Sequence, residues 1–249
     1  MIEVKDLTKK FKDVTAVDNI NFTVRDGEIV GLLGENGAGK TTTLRMLATM
    51  LKTSGGTAVI KGYDVNKAPE KVRGEIGILF GGEVGLYDRL TGRENIKYFA
   101  ELNGMSDDEA KKSIDSLAKS LEMKEYLDRR VGKFSRGMKQ KIAIARSIVH
   151  NPSVVLFDEP TTGLDVSAAR IIHEFILNCK KENKAVIFSS HSMTEVEKLC
   201  DRIIIIHKGK IVDEGSLQEL KNKYGNNDLE EVFMQLINTK NENAERNII

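Results

Sequence analysis

One eight-residue stretch constrains the fold of this chain more than any other. Gly34-Glu35-Asn36-Gly37-Ala38-Gly39-Lys40-Thr41 fits the pattern G-x-x-x-x-G-K-[ST]. Its glycines let the backbone curl so that successive N–H groups converge on an anion. Ile29–Leu33, just ahead of the loop, is continuously apolar, as a strand buried on both faces should be. A helix is expected behind it from about Lys40 to Leu51, with Leu44, Leu47 and Leu51 as a buried stripe. Strand, glycine loop and helix N-terminus in that order make a phosphate cradle. Lys40 can then reach β- and γ-phosphates, and the Thr41 hydroxyl can ligate Mg2+. Thr42 lies beside them in the first helical turn.

A second motif completes half of a phosphoryl-transfer site. Val154-Val155-Leu156-Phe157 reads as a central strand, and Asp158 and Glu159 sit where it emerges. A carboxylate at a strand end facing a phosphate loop can hold magnesium, which assigns Asp158 as the metal ligand. Glu159 is placed to orient and polarise a water for attack on a γ-phosphate. Further on, Phe134-Ser135-Arg136-Gly137-Met138-Lys139-Gln140 precedes a helix carrying Ile142, Ile144, Ala145, Ile148 and Val149. From its residues alone, Ser135 is a helix cap.

The rest of the chain supports an α/β organisation. Strand patterns appear at Ile2–Leu7, Ile20–Val24, Ala58–Lys61, Ile76–Phe80, Ala185–Ser189 and Arg202–Ile206. Thr91 with Glu94, and Ser106 with Glu109, are capping-box patterns that open helices, and 82–150 reads as mostly helical. The expected division is a core of 1–81 with 151–225, a helical insertion at 82–150, and a C-terminal helix and polar tail at 226–249. In that last helix Leu229, Val232, Phe233, Leu236 and Ile237 share a face, whereas Thr239–Ile249 is expected to fray.

Charge and hydropathy exclude several functions. With 38 basic and 37 acidic residues the net charge is +1, so there is no basic footprint for nucleic acid. No apolar run approaches the ~18–20 residues that span a bilayer. The start, MIEVKDLTKKF, alternates and carries charge, and is expected as a strand rather than a leader. Cys179 and Cys200 stand apart from any His or Cys cluster and are expected to be packed, reduced thiols.

Phosphate loop, FSRGMKQ, VVLFDEP, TTGLD and SSH occur in the order and approximate spacing of ABC-type nucleotide-binding domains, which the chain resembles over about residues 2–215. The resemblance implies an α/β P-loop NTPase core, an N-terminal antiparallel β region and an inserted α-helical subdomain. It also implies hydrolysis of Mg-ATP at two composite sites in a head-to-tail dimer. By position, Ser135 and Gly137 would touch the γ-phosphate held by the partner, Asp165 lies in the D-loop, and His191 is the switch histidine. Phe11 falls where an aromatic stacks on adenine, with a core position as the alternative.

The partners implied are a second copy and a separate multi-spanning permease. The location implied is peripheral, on the cytoplasmic face of the membrane. Two departures stand out: Arg136 and Met138 replace the commonest Gly and Gln of the signature, and Gly81-Gly82-Glu83 replaces the glutamine expected after Ile76–Phe80. Gly85–Gly104, the FSRGMKQKIAIARSIVHNP segment and DEPTTGLDV resemble the NatA-type subunits of two-component sodium-efflux systems and related exporters. Three rival readings are a small-molecule or protein kinase (opposed by FSRGM, TTGLD and SSH), a DNA-repair or chromosome ATPase of the same superfamily (disfavoured by the missing heptads and basic excess), and an ABC-like regulator of a membrane complex.

Overall fold

A computed structural model of the chain describes residues 1–80 and 85–246. Its centre is a six-stranded sheet. The chain enters it at β3 (Ile29–Leu33), after β1 (Ile2–Phe11) and β2 (Val14–Val24) have paired as an antiparallel ribbon. α1 (Lys40–Leu47) follows the glycine loop, and β4 (Gly55–Ile60) and β5 (Tyr63–Asp64) complete a four-stranded antiparallel sheet of order β2-β1-β4-β5. Then come α2 (Pro69–Glu75), β6 (Ile76–Leu79), and three helices: α3 (Gly92–Leu102), α4 (Asp107–Ser120) and α5 (Arg136–Ile148). The alternation resumes with β7 (Val154–Asp158), α6 (Val166–Lys181), β8 (Ala185–Ser190), α7 (Met193–Leu199), β9 (Arg202–His207) and β10 (Lys210–Gly215). α8 (Leu217–Tyr224) and α9 (Leu229–Arg246) end the described chain.

The large sheet has the order β10-β9-β3-β8-β7-β6. Its pairs are parallel except β9 with β10, which is antiparallel. Alternation along each central strand builds two cores. Ile29, Leu33, Val155, Phe157, Val186, Phe188, Ile203 and Ile205 face the helices α3–α9. Val30, Leu32, Leu156, Ile187, Ile204 and Ile206 face α1 and the antiparallel sheet. Both faces are covered, which is why these strands read as continuous apolar runs.

Several expectations meet the structure directly. Thr91–Glu94 and Ser106–Glu109 form true capping boxes on α3 and α4. Leu229, Val232, Phe233, Leu236 and Ile237 are all buried on α9. The expected frayed tail is instead helical as far as Arg246. The helix behind the loop is shorter than its apolar stripe suggested. Ala48 caps it, and Thr49 turns left-handed at φ +60° before Leu51 can join. Phe11 is not a core residue: it ends β1 with 46% of its surface exposed. Lys9 Nζ lies 5.0 Å from its ring centroid. Cys179 and Cys200 are free thiols, and burial pushes Cys179 up to about 12 and Cys200 higher still. Gly81, Gly82 and Glu83, the departure from the expected glutamine, lie outside the described residues.

Candidate functional site

Strand register assembles the site. β3 pairs β8 with Leu33 opposite Ser190, and β7 pairs β8 with Asp158 opposite Ser189. The carboxyl ends of three adjacent parallel strands therefore finish level, and in open α/β sheets that edge forms the ligand crevice. The glycine loop leaves β3, the acids leave β7, and His191 leaves β8, all at this edge.

The loop's shape depends on glycine at two points. A Cβ on Gly34 would stand 2.3 Å from the carbonyl oxygen of Ile206. Gly39 has φ +112°, and a Cβ there would stand 2.7 Å from Ala16 O. Packing so close to β9 and β2 leaves room for no side chain. Ala38 N–H donates back to Glu35 O at 3.1 Å, and Gly209 N–H donates to Ala38 O at 2.9 Å. Glu35 itself reaches His207 Nδ1 at 3.3 Å, which fixes the start of the loop to the end of β9. Asn36 and Gly37 form the exposed crest, and Thr42 lies half-buried in the first turn of α1.

Lys40 is only 5% exposed. Its ammonium donates to Gly34 O at 2.6 Å and Glu35 O at 3.0 Å, so the cradle holds its own cation between loop carbonyls. Burial pulls its pKa below the ordinary lysine value, against the opposing pull of Glu159, Asp158 and Glu35. An arriving polyanion would relieve that desolvation.

Thr41 Oγ1 donates to both carboxylate oxygens of Asp158, at 2.8 and 3.1 Å. Ser189 Oγ donates to Asp158 Oδ1 at 2.6 Å. A hydroxyl and a carboxylate already in contact form an all-oxygen donor set, the hard-ligand chemistry that Mg2+ selects. These residues fit the ion that the family resemblance implies. Ser189 is the partner that sequence reading missed, although the Ser-Ser doublet before His191 was the available signal.

Glu159 sits in the left-handed region at φ +49°, a conformation uncommon for a residue with a Cβ. Its N–H faces Ser189, at 3.1 Å from Oγ and 3.2 Å from the carbonyl oxygen. Thr162 Oγ1 donates to Glu159 Oε2 at 3.1 Å, while His191 Nδ1 lies 3.5 Å from Oε1. His191 is well exposed, so both groups face the open end of the site.

The signature segment meets the same place from the side. A cleft of about 280 Å³ is lined by Thr41, Arg45, Arg136, Gln140, Asp158, Glu159 and Thr162. Ser135 caps α5, accepting from Met138 N–H at 3.2 Å. Arg136 donates to Thr162 O at 2.8 Å and Gln140 to Pro160 O at 2.7 Å, tying α5 to the turn after Glu159. Asp165 caps α6 by accepting from Ala168 N–H at 2.8 Å. A Cβ on Gly137 would lie 3.0 Å from Ala168 Cβ, so this glycine marks the close approach of α5 to α6. The structure thus brings Lys40, Thr41, Asp158, Glu159 and His191 together within one chain. Ser135 and Gly137 border this group through α5, and Phe11 stands apart on the antiparallel sheet.

Known proteins resemble this chain in sequence and fold. The family model described as ABC transporter matches residues 17–162. The ABC transporter ATP-binding protein NatA of Bacillus subtilis (strain 168) is 48% identical over 238 residues, covering 94% of this chain and 97% of that protein. A solved ATP-binding subunit of an ABC transporter superposes with a TM-score of 0.87 at 29% identity, covering 95% of this chain and 99% of its own. A dimeric ATP-binding cassette in a post-hydrolysis state with ADP and Pi superposes with a TM-score of 0.78 at 26% identity, covering 87% and 98%. The chain therefore belongs to the ABC transporter family as an ATP-binding, ATP-hydrolysing subunit.

Proposed function

We propose that this ATPase powers export through a separate multi-spanning permease, working as a head-to-tail pair of copies bound peripherally at the cytoplasmic face, and that sodium is the exported ion. The carrying observation is the end-to-end likeness to NatA, 48% identical across 97% of that protein. Among the described residues no helix is long and apolar enough to cross a membrane. That accords with a passage supplied by another chain. The dimeric cassettes that share the fold favour pairing of copies. Sodium rests on the segments around Gly85–Gly104 that resemble sodium-efflux subunits.

In this reading the N–H groups of Gly34–Thr42 hold the ATP phosphates, and Lys40 moves from its two carbonyls to the β- and γ-phosphates. Thr41 and Asp158 hold Mg2+, which when bound neutralises charge on the β- and γ-oxygens. Glu159 accepts a proton of the attacking water, and His191 contacts the γ-phosphate beside it. Ser135 and Gly137 of the opposing copy close over that phosphate, with Asp165 between the two sites. Phe11 stacks on adenine: its ring is exposed and available for that contact. The cargo assignment is tested by deleting the gene and measuring cell sodium and salt tolerance. Sodium should rise and tolerance fall, whereas unchanged values remove sodium as the cargo.

A further inference from the structure

Glu195 is a carboxylate that the hydrolytic scheme leaves unused. It stands in the first turn of α7, only 7% exposed. Burying a charge costs several kcal/mol unless hydrogen bonds replace its water, and here three side chains do so. Thr161 Oγ1 donates to Oε1 at 2.6 Å, and Ser190 Oγ donates to Oε2 at 2.7 Å. His173 Nε2 lies 2.7 Å from Oε1. Burial works to raise the carboxyl pKa, but the contacts with His173, Thr161 and Ser190 outweigh it and bring it below the usual glutamate value. An ionised carboxylate only accepts, so His173 carries its proton on Nε2.

The three partners belong to three different elements. Thr161 lies in the turn that follows Glu159, next to Thr162, whose hydroxyl donates to the Glu159 carboxylate. Ser190 ends β8, and its hydroxyl also accepts from Ser192 N–H at 3.0 Å, so the residues on both sides of His191 are tied. His173 lies on α6, the helix capped by Asp165. From this geometry we infer that Glu195 is a positioning residue for hydrolysis. One buried carboxylate sets the Glu159 turn, the His191 loop and the Asp165-capped helix relative to each other. The inference rests on the roles assigned above to Glu159 and His191. Such geometry matters to chemistry because a displacement of ~1 Å at a catalytic group can cost ~10²-fold in rate.

The experiment compares Glu195→Ala, Glu195→Gln and Thr161→Val in the full chain. It reads kcat, KM, nucleotide affinity and Tm, with Glu159→Gln alongside. Glu195→Ala should lose ~10–100-fold in kcat with nucleotide affinity within about twofold of the parent, because the loss is confined to the transition state. Glu195→Gln should recover most of the rate: its carbonyl can accept from Thr161 and His173, and its amide can donate to Ser190 Oγ. Thr161→Val should lower kcat, yet add nothing to Glu195→Ala, since both remove the same tie.

A folded Glu195→Ala with parental kcat overturns the inference, even if its Tm falls. So does a Glu195→Gln as slow as the alanine variant. Should Glu195→Ala not fold, Thr161→Val and Ser190→Ala decide: lowered kcat at parental affinity supports the tie, and parental kcat in both overturns it. If Glu159→Gln collapses turnover while Glu195→Ala does not, this inference alone fails. If Glu159→Gln keeps turnover, the site assignment beneath it fails too.

Discussion

Glu159→Gln separates binding from hydrolysis with the least structural change. Glutamine is isosteric, tolerates the same left-handed backbone at φ +49°, and offers Thr162 Oγ1 an acceptor where the carboxylate now stands 3.1 Å away. What it cannot do is take a proton from water. General-base contributions run to ~10²–10⁴ in rate, so turnover should fall at least ~100-fold, a rise of ~2.7 kcal/mol in the barrier. ATP affinity should hold or improve slightly. Lys40, Thr41, Asp158 and the loop N–H groups are untouched, and the variant removes one of the negative charges around Lys40 that an incoming triphosphate must approach.

Binding without hydrolysis has a visible consequence if two copies close head to tail. The γ-phosphate would remain as a bridge between Lys40 of one copy and Ser135 of the other. Light scattering should then show a monomer without nucleotide and a dimer with ATP, and adding Ser135→Arg should abolish that dimer by placing bulk and charge at the helix cap. Turnover close to the parent's would refute Glu159 as the base. A variant that stays monomeric in saturating ATP would refute closure by the ATPase chains alone.

Three further substitutions test the cradle. Lys40→Ala should weaken ATP binding at least ~10-fold, or ~1.4 kcal/mol, in a fluorescent-nucleotide titration; a dissociation constant within ~2-fold of the parent would sink the assignment. Gly34→Ala drives a Cβ to 2.3 Å from Ile206 O, whereas Gly37→Ala meets nothing within 4 Å and pays only for φ +81°. The first should cost about 2–3 kcal/mol by overpacking and the second about 1 kcal/mol by backbone strain. At roughly 2–4 °C per kcal/mol for a chain of this size, melting curves should separate them clearly; equal shifts would mean that β9 yields to the loop.

The central strands were legible because burial on both faces leaves nothing but apolar side chains, as in Ile29–Leu33 and Val154–Phe157. The phosphate cradle was legible because its requirements are local: a loop that needs glycine where β9 and β2 pass, followed by a helix start. Other elements were missed for equally physical reasons. β10 is an edge strand, KIVDEG, whose two faces are both partly wet, so its alternation is weak. The end of α1 was misjudged because Leu51 extends the helical stripe in sequence while Thr49, in the left-handed region, takes the chain off the helix. Ser135 was readable as a cap from its place before an apolar-periodic helix, and it is one. The proposal that it faces a second copy rests only on the family resemblance.

The site divides along the same line. The half that would grip phosphate lies within Gly34–Thr42, and the contacts that place its lysine and its turn span a few residues: Lys40 to Gly34 and Glu35, and Ala38 to Glu35. The half that would time hydrolysis is held across the chain. Asp158 depends on Thr41, 117 residues away, and on Ser189, 31 residues away. Glu195 reaches Thr161 across 34 residues and His173 across 22. Apart from Thr41 with Asp158, which their motifs each assign to magnesium, no local pattern announces such pairs, because polar residues near strand ends are common and gain meaning only once register sets them side by side. Phosphate binding should accordingly survive strain that slightly shifts β8 against β7, and hydrolysis should not. If the proposed pairing with a second copy and a membrane partner holds, an enzyme that must keep ATP until both are in place gains from that difference. Its grip is built into one loop, and its chemistry waits on the alignment of several elements.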